Sequence, residues 1–237
     1  MPNRSSLNKT RKKPSAAKNE ITHHLGLHLT VGALILIGAA WLFAIIVEDV
    51  VNHESMTLID LQVAAYLYAR ATPLLTIVMT FISYFGAPAV TGSIAFATGI
   101  VLWRRRYSYR LLALVIAVPG GMLFNVLIKY IVHRPRPFFD NPLLTLTGYS
   151  FPSGHAMAST VLYGLLAAFA ARTSAVGQRC VVAVFMAASL IALVCFSRIY
   201  LGVHYLSDVL AGIAEGVAWL ALCLTGVDML ERHHAAR

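Results

Sequence analysis

Long apolar stretches separated by short polar segments make up most of this chain of 237 residues. The first stretch covers residues 27–47, and its length of about 21 residues is enough to cross a hydrocarbon core about 30 Å thick. It is too long for the apolar region of a signal peptide, and no small-residue cleavage pattern follows it. The pattern therefore predicts an uncleaved first membrane span.

Four later stretches also have the length and apolarity of membrane helices. They cover residues 111–132, 154–171, 180–196 and 205–228. A further apolar stretch, residues 73–103, is broken at Gly86-Ala87-Pro88. Its roughly 31 residues are long for one span and short for two. Residues 58–71 mix charged and apolar positions, which is typical of a helix at the membrane interface.

The distribution of basic residues predicts how these spans are oriented. Cytoplasmic segments of membrane proteins are enriched in Lys and Arg. Here 14 of the 19 such residues flank apolar stretches, in residues 1–18, 104–110, 172–179 and 232–237. If the first two of these segments are both cytoplasmic, residues 73–103 must cross the membrane once, as one long and bent span. Six transmembrane helices result, with both termini cytoplasmic.

The composition supports the same fold class, an all-α polytopic membrane helical bundle. Charged residues make up only 12% of the chain, about half the share found in soluble domains. The net charge of +9 would suit a nucleic-acid binder, but basic clusters separated by apolar spans do not form one basic face. We therefore expect no nucleic-acid partner. Residues 1–20 are predicted to be a disordered basic cytoplasmic tail, and residues 21–237 a single six-span domain.

Three short polar segments fall at the predicted outer ends of spans. They are Lys129 to Arg136-Pro137, Pro152-Ser153-Gly154-His155, and Ser197-Arg198 followed by His204 and Asp208. Basic residues at outer span ends oppose the usual distribution of charge in membrane proteins. Their presence there indicates an anionic partner.

The basic residues of these segments are suited to phosphate. Arg136 and Arg198 carry guanidinium groups that match phosphate oxygens bidentately, and Lys129 adds a point charge. Ser153 and Gly154 open a predicted helix, where free N–H groups and the helix dipole favour an anion. Together these residues predict a phosphate-binding site that also stabilises the transition state of phosphoryl transfer.

The histidines and the aspartate predict covalent catalysis. His204 and Asp208 are four positions apart, so on a helix they share a face. A carboxylate behind an imidazole fixes its tautomer and supports positive charge on the ring, which suits His204 as a nucleophile. His155 is then the general acid. Two alternatives remain open from the residues alone: a structural His–Asp pair, or a metal site, which the neighbouring cations disfavour.

Four further polar residues are singled out by their positions in or beside apolar stretches. Arg134 does not fit the spacing of the phosphate-binding residues and is predicted to be mainly a headgroup anchor. Glu215 is expected to make an internal polar contact, and Asn125 to form a hydrogen bond between helices. Asp60 belongs to an acidic group after the first span that is expected on the outer side.

The three segments resemble the signature of the type 2 phosphatidic acid phosphatase superfamily, which includes vanadium haloperoxidases. The resemblance covers about residues 125–215, and the six spans agree with the membrane lipid phosphate phosphatase branch. It implies a nucleophile at His204 supported by Asp208, a general acid at His155, and no metal or other cofactor. It also implies phosphate contacts from Lys129, Arg136, Ser153, Gly154 and Arg198.

These observations predict an enzyme of the bacterial inner membrane that hydrolyses a lipid phosphomonoester or diphosphate through a phosphohistidine, with its active site on the outer, periplasmic face. Undecaprenyl diphosphate is the favoured substrate, because an outward site could recycle a carrier released there. Phosphatidylglycerol phosphate and phosphatidic acid are the alternatives. A non-catalytic phospholipid binder or transporter would not need the histidines, and a vanadate haloperoxidase would not need six spans.

Overall fold

The computed structural model describes residues 14–53, 55–173 and 177–235, and this part of the chain is helical without strands. In chain order the helices are α1 (Pro14–Asn52), α2 (Ser55–Ala69), α3 (Pro73–Tyr84), α4 (Pro88–Arg104), α5 (Ser108–Val132), α6 (Gly154–Thr173), α7 (Gln178–Tyr200) and α8 (Leu206–Ala235). Most of the predicted basic tail, residues 1–13, lies outside the described residues. The rest of it was predicted to be disordered, but α1 begins at Pro14 and its backbone is helical there.

Six stretches of the described chain are long and apolar enough to cross a membrane. They are Leu29–Asn52, Pro73–Arg104, Ser108–Val132, Gly154–Arg172, Gln178–Tyr200 and Leu206–Ala235. Large apolar side chains on their outer faces, such as Trp41, Phe96 and Phe185, are exposed, as lipid-facing residues are. The predicted number of spans is confirmed, whereas the cytoplasmic placement of both termini stays a prediction.

The second span is bent where the sequence predicts a break. Helix α3 ends at Tyr84, and α4 begins with Pro88, whose fixed φ suits the first turn of a helix. Between them, the Phe85 carbonyl accepts a hydrogen bond of 2.6 Å from the Tyr163 hydroxyl of α6. A side chain at Gly86 would come within 2.5 Å of Val194 on α7. The bend therefore packs tightly against α6 and α7, and its freed carbonyl is satisfied.

Helix α2 packs against the bundle instead of lying apart from it. Its Val63 and Leu67 contact a buried cluster that includes Cys195 of α7 and Val209 of α8. Asp60 is buried, with only 1% of its surface exposed. Helix α2 therefore turns this carboxylate into the bundle, while the placement of the acidic group on the outer side stays a prediction.

Helix α6 forms the centre of the bundle and is held close to α8. Its Met157 and Leu162 are almost completely buried, between α5, α7 and α8. A side chain at Gly212 of α8 would lie 2.5 Å from the Ser153 carbonyl oxygen, and one at Gly216 would lie 2.8 Å from Thr160. Small residues permit such close approach of membrane helices. They bring the N-terminal part of α8 against the N-terminal part of α6.

This close approach predicts a difference between two glycines of the same helix. Gly212→Ala should lower the free energy of unfolding by about 1–3 kcal/mol, because the added methyl group meets backbone. Gly226→Ala should leave stability unchanged or raise it by up to about 1 kcal/mol through helix propensity, since within the described chain no neighbour lies within 4 Å of the added atom. Unfolding of both variants in detergent would test this, and equal effects would contradict it.

Candidate active site

The three predicted segments meet at one cavity of about 220 Å³. Six of the eight predicted site residues line it: Lys129, Arg136, Gly154, His155, Arg198 and His204. The other two, Ser153 and Asp208, are fully buried behind it. Two larger cavities, between α4 and α5 and between α6 and α7, are lined almost wholly by apolar residues and hold none of these groups.

The turn between α7 and α8 places His204 through a standard helix ending. Gly202 adopts a left-handed conformation with φ of 68°. Its N–H donates to the Ile199 carbonyl at 3.0 Å, and the Val203 N–H donates to the Arg198 carbonyl at 3.3 Å. This is the Schellman pattern, which favours glycine at this position. It reverses the chain, so that Arg198 and His204 face the same cavity.

Arg198 carries buried hydrogen-bond donors that no described residue satisfies. Its side chain is 2% exposed, and Nη1 donates to the hydroxyl of Ser83 on α3. Among the described residues, its Nε and Nη2 atoms are buried without a hydrogen-bond partner. Buried polar groups almost always have partners, and a guanidinium group prefers an oxyanion. The unused donors therefore indicate a binding site for a phosphate-like group.

Contacts on either side of His204 define its tautomer. Nη1 of Arg136 lies 3.3 Å from Nε2 of His204 and donates to the Val203 carbonyl at 2.7 Å. Because a guanidinium group only donates, Nε2 must be the unprotonated nitrogen. The proton is then on Nδ1, which lies 3.4 Å from Oδ2 of Asp208. This separation is long for a hydrogen bond, as is common before substrate binds.

The ring of His204 is neutral at pH 7. Burial, together with the charges of Arg198 and Arg136, lowers its pKa to about 3, although Asp208 partly opposes the shift. The lone pair of Nε2 is therefore available in the cavity. This is the protonation state that a nucleophilic histidine needs.

Asp208 is held by more groups than the sequence indicated. Its Oδ1 accepts a hydrogen bond of 2.6 Å from Arg134, and its Oδ2 accepts one of 2.8 Å from the Tyr205 N–H and one from the Ser150 hydroxyl. Burial alone would lower the pKa of Arg134, but the nearby carboxylates of Asp208 and Asp60 raise it above its ordinary value. Arg134 is thus a buried partner of carboxylates, and its prediction as a headgroup anchor is wrong.

Ser153 and Lys129 hold the segment that precedes α6. The Ser153 N–H donates to the Asp208 carbonyl at 2.9 Å, and its hydroxyl caps α6 by accepting from the Ala156 N–H at 3.5 Å. Lys129 donates to the carbonyls of Tyr149, Ser150 and Pro152 at 3.2, 3.2 and 2.6 Å. Lys129 therefore brings its charge to the cavity while its hydrogen bonds fix the adjacent loop.

Gly154 keeps the start of α6 accessible from the cavity. A side chain there would lie 3.1 Å from Oδ1 of Asn125 and 4.0 Å from Lys129. Asn125 in turn donates to Oε2 of Glu215 at 2.8 Å, which confirms the predicted hydrogen bond between helices and the internal polar contact of Glu215. The first N–H groups of a helix have no partner within it, so the start of α6 adds donors to the site.

The residues that sequence reasoning missed are Ser83, Ser150 and Ser207, together with the role of Asp60. Ser207 donates its hydroxyl hydrogen to Asp60 and accepts from Arg134 at 2.7 Å. The chain contains many serines, and nothing in the sequence distinguishes these three from the rest. Asp60 did carry one, because an acidic residue within an apolar stretch of a membrane protein is a candidate functional residue.

Comparison with known proteins identifies the family. Residues 108–232, more than half of the chain, match the PAP2 superfamily. The chain belongs to the PAP2 superfamily. The match contains all eight predicted site residues, whereas α1 to α4 lie outside it.

Three relatives in this superfamily are phosphatases. Phosphatidylglycerophosphatase B of Bacillus subtilis (strain 168) is 30% identical over 178 residues, which cover 75% of this chain and 87% of that protein. An undecaprenyl-diphosphatase of Sulfolobus acidocaldarius is 30% identical over 156 residues, covering 63% and 69%. Glucose-6-phosphatase catalytic subunit 1 of Rattus norvegicus is 33% identical over 128 residues, covering 44% and 36%.

Two solved structures have the same fold. A transmembrane phosphatidylglycerolphosphate phosphatase from Bacillus subtilis superposes with a TM-score of 0.75 at 26% identity, over 82% of this chain and 96% of that chain. Aquifex aeolicus LpxE superposes with a TM-score of 0.57 at 24% identity, over 70% and 94%. This chain is therefore a multi-pass membrane member of a lipid phosphatase family whose enzymes hydrolyse phosphoester bonds.

The neutral state of His204 predicts an unusual pH dependence. With a pKa near 3 the ring stays uncharged from pH 7 to pH 5. A histidine with the ordinary pKa of about 6.5 would become mostly protonated over this range. The value of kcat/KM, corrected for ionisation of the substrate phosphate, should therefore show less than about a twofold loss from His204 protonation. An acid limb of about 25-fold over this interval, as a pKa of 6.5 requires, would contradict the prediction.

Proposed function

We propose that this protein hydrolyses a lipid phosphate by transferring its phosphoryl group to His204 and then to water. The observation that carries the proposal is the pair of unpartnered donors on Arg198, which lie at the same cavity as His155 and His204. A buried cation with open donors beside a neutral imidazole is suited to bind a phosphate and to attack it. The proposed mechanism needs no metal.

In the first step, phosphate oxygens bind Arg198, Arg136 and the start of α6, while the charge of Lys129 offsets the negative charge of the group. The lone pair of His204 Nε2 forms a bond to phosphorus, and the bond from phosphorus to the leaving oxygen breaks. His155, in its protonated form, gives its proton to that oxygen. Asp208 accepts the Nδ1–H of the ring, which is now positively charged.

In the second step, water attacks the phosphohistidine. His155 is now neutral and accepts a proton from the water as its oxygen bonds to phosphorus. The bond from phosphorus to Nε2 breaks, and the electron pair returns to the His204 ring. Inorganic phosphate leaves, and both histidines return to their initial states. Each proton that His155 gives in the first step is recovered in the second.

The proposed substrates are lipid phosphates because the cavity combines basic groups with an apolar lining. Pro88, Met122, Val126 and Leu146 line the cavity beside Arg198. Phosphatidylglycerol phosphate is favoured over undecaprenyl diphosphate, because the Bacillus phosphatase matches over a larger share of both chains than the Sulfolobus diphosphatase. This order reverses the preference based on sequence alone.

We also propose that the protein lies in a bacterial plasma membrane with the cavity on the outer side. The cavity residues Lys129 and Arg198 lie near the C-terminal ends of α5 and α7, and His155 lies at the N-terminal end of α6. The basic cluster at residues 104–110 and Arg172 lie at the opposite ends of α5 and α6. Because such clusters are typical of the cytoplasmic side, the cavity end of the bundle is assigned to the outside.

The proposal can be tested by measuring phosphate release from the purified protein in detergent with EDTA. The substrates would be phosphatidylglycerol phosphate, undecaprenyl diphosphate and phosphatidic acid. We expect release by the wild-type protein, and a loss of at least about 10³-fold in His204→Ala, because the nucleophile is removed. His233→Ala, at an exposed position near the end of α8, is the matched control and should keep full activity.

The results distinguish the parts of the proposal. Release that resists EDTA and depends on His204 supports the metal-free mechanism, and the relative kcat/KM values identify the preferred lipid. Loss of release with EDTA would refute the metal-free step. Turnover by His204→Ala at the wild-type rate would refute the phosphohistidine, and absence of release from every lipid by folded protein would refute the proposed substrate class.

A further inference from the structure

Asp60 of α2 has no role in the two proposed chemical steps, although it contacts residues beside His204. Its side chain is fully buried, and its Oδ1 accepts a hydrogen bond of 2.9 Å from the Ser207 N–H. Its Oδ2 accepts from the Ser207 hydroxyl and, at 2.7 Å, from Nη2 of Arg134. A carboxylate is buried in this way only when charge and hydrogen bonds compensate for the loss of water.

One of these contacts completes the first turn of α8. Helix α8 begins at Leu206, so the N–H of Ser207 has no partner within the helix. Asp208 accepts from the Tyr205 N–H at 2.8 Å, and Asp60 accepts from the Ser207 N–H. Carboxylates at these positions also stabilise the positive end of the helix dipole. Asp60 therefore caps, from another helix, the turn that carries Asp208.

The second contact links Asp60 to Asp208 through one guanidinium group. Arg134 donates from Nη2 to Asp60 at 2.7 Å and from Nη1 to Asp208 at 2.6 Å, and it lies 4.3 Å from the centre of the Tyr205 ring. The planar fork holds both carboxylates in fixed positions, as a lysine could not. Nη1 also donates to the Ser207 hydroxyl at 2.7 Å, which ties the fork to α8.

The charges of this group bear directly on His204. One cation between two carboxylates leaves one net negative charge, and Oδ2 of Asp208 faces Nδ1 of His204 at 3.4 Å. If Asp60 were neutral, Arg134 would balance Asp208 alone. The negative charge that supports a positively charged imidazole ring would then be largely cancelled.

We propose that Asp60 is a positioning residue for Asp208, acting through Arg134 and through the first turn of α8. Its role is to keep the Asp208 carboxylate oriented and negatively charged towards His204 during phosphoryl transfer. This inference rests on the proposed function. It extends the catalytic apparatus to α2, which lies outside the residues that match the superfamily.

The test is the nearly isosteric variant Asp60→Asn, compared with Asp49→Asn. Asp49 is a matched control, because its carboxylate also accepts a backbone hydrogen bond, of 2.9 Å from the Met56 N–H between α1 and α2, but does not contact Arg134 or Asp208 among the described residues. We expect kcat of Asp60→Asn to fall about 10- to 100-fold, as for outer partners of other functional groups. Asp49→Asn should retain the wild-type kcat.

A second measurement separates positioning from a general loss of structure. Inorganic phosphate, the reaction product, should inhibit Asp60→Asn with a constant within about threefold of the wild-type value, because it binds the unchanged cations without a bond to His204. The rate of phosphohistidine formation, measured by rapid mixing and an alkaline quench, should fall together with kcat. A parallel loss of phosphate affinity and kcat would mean that the whole site is disturbed, and would overturn the proposal.

Arg134→Lys provides an independent variant should Asp60→Asn fail to fold. It keeps the positive charge but cannot bridge both carboxylates, so kcat should again fall about tenfold or more with inhibition by inorganic phosphate retained. Wild-type kcat in either folded variant would overturn the proposal. His204→Ala in the same assay distinguishes failure of this inference from failure of the proposed function. If His204→Ala is inactive while Asp60→Asn is fully active, only the proposed role of Asp60 fails.

Discussion

The buried carboxylate of Asp208 is the interaction on which the rest of the site depends. A charge that is removed from water must be compensated by donors and by an opposite charge. Arg134 and Ser150 of the α5–α6 loop supply them together with the Tyr205 N–H of the turn before α8. The Asp208 carbonyl also accepts from the Ser153 N–H, which joins the starts of α6 and α8. Loops and helices that are distant in sequence are thus held around one residue.

The basic side of the cavity is organised in the same way, by contacts that exist before substrate binds. Lys129 is fixed by loop carbonyls, Arg136 by the Val203 carbonyl, and Arg198 by Ser83. These contacts hold like charges together in a buried place, which is unfavourable until an anion arrives. A site arranged before binding does not need to reorganise during the reaction, and this is the main source of electrostatic stabilisation of a transition state.

The bend in the second span shows how a membrane protein tolerates irregular backbone. Backbone groups exposed to lipid must be satisfied internally, so a broken helix persists only where protein or a cavity covers it. Here Tyr163 satisfies the Phe85 carbonyl, and Pro88 lines the cavity of the candidate active site. Ser83, just before the bend, binds Arg198. The break therefore contributes both a wall of the cavity and a partner for a predicted phosphate ligand.

The sequence alone determined the number of spans, the bend and the set of residues at the cavity. These depend on local quantities: the length of an apolar stretch, a glycine-proline break, and spacings such as that of His204 and Asp208. Only the tertiary structure decided which polar groups hold the cavity residues in place. Asp60 and Ser207 are 147 positions apart, and Ser150 and Asp208 are 58 apart. Such partners are selected by helix packing, because only the folded bundle shows which buried charge lacks a donor and which neighbouring side chain can supply it.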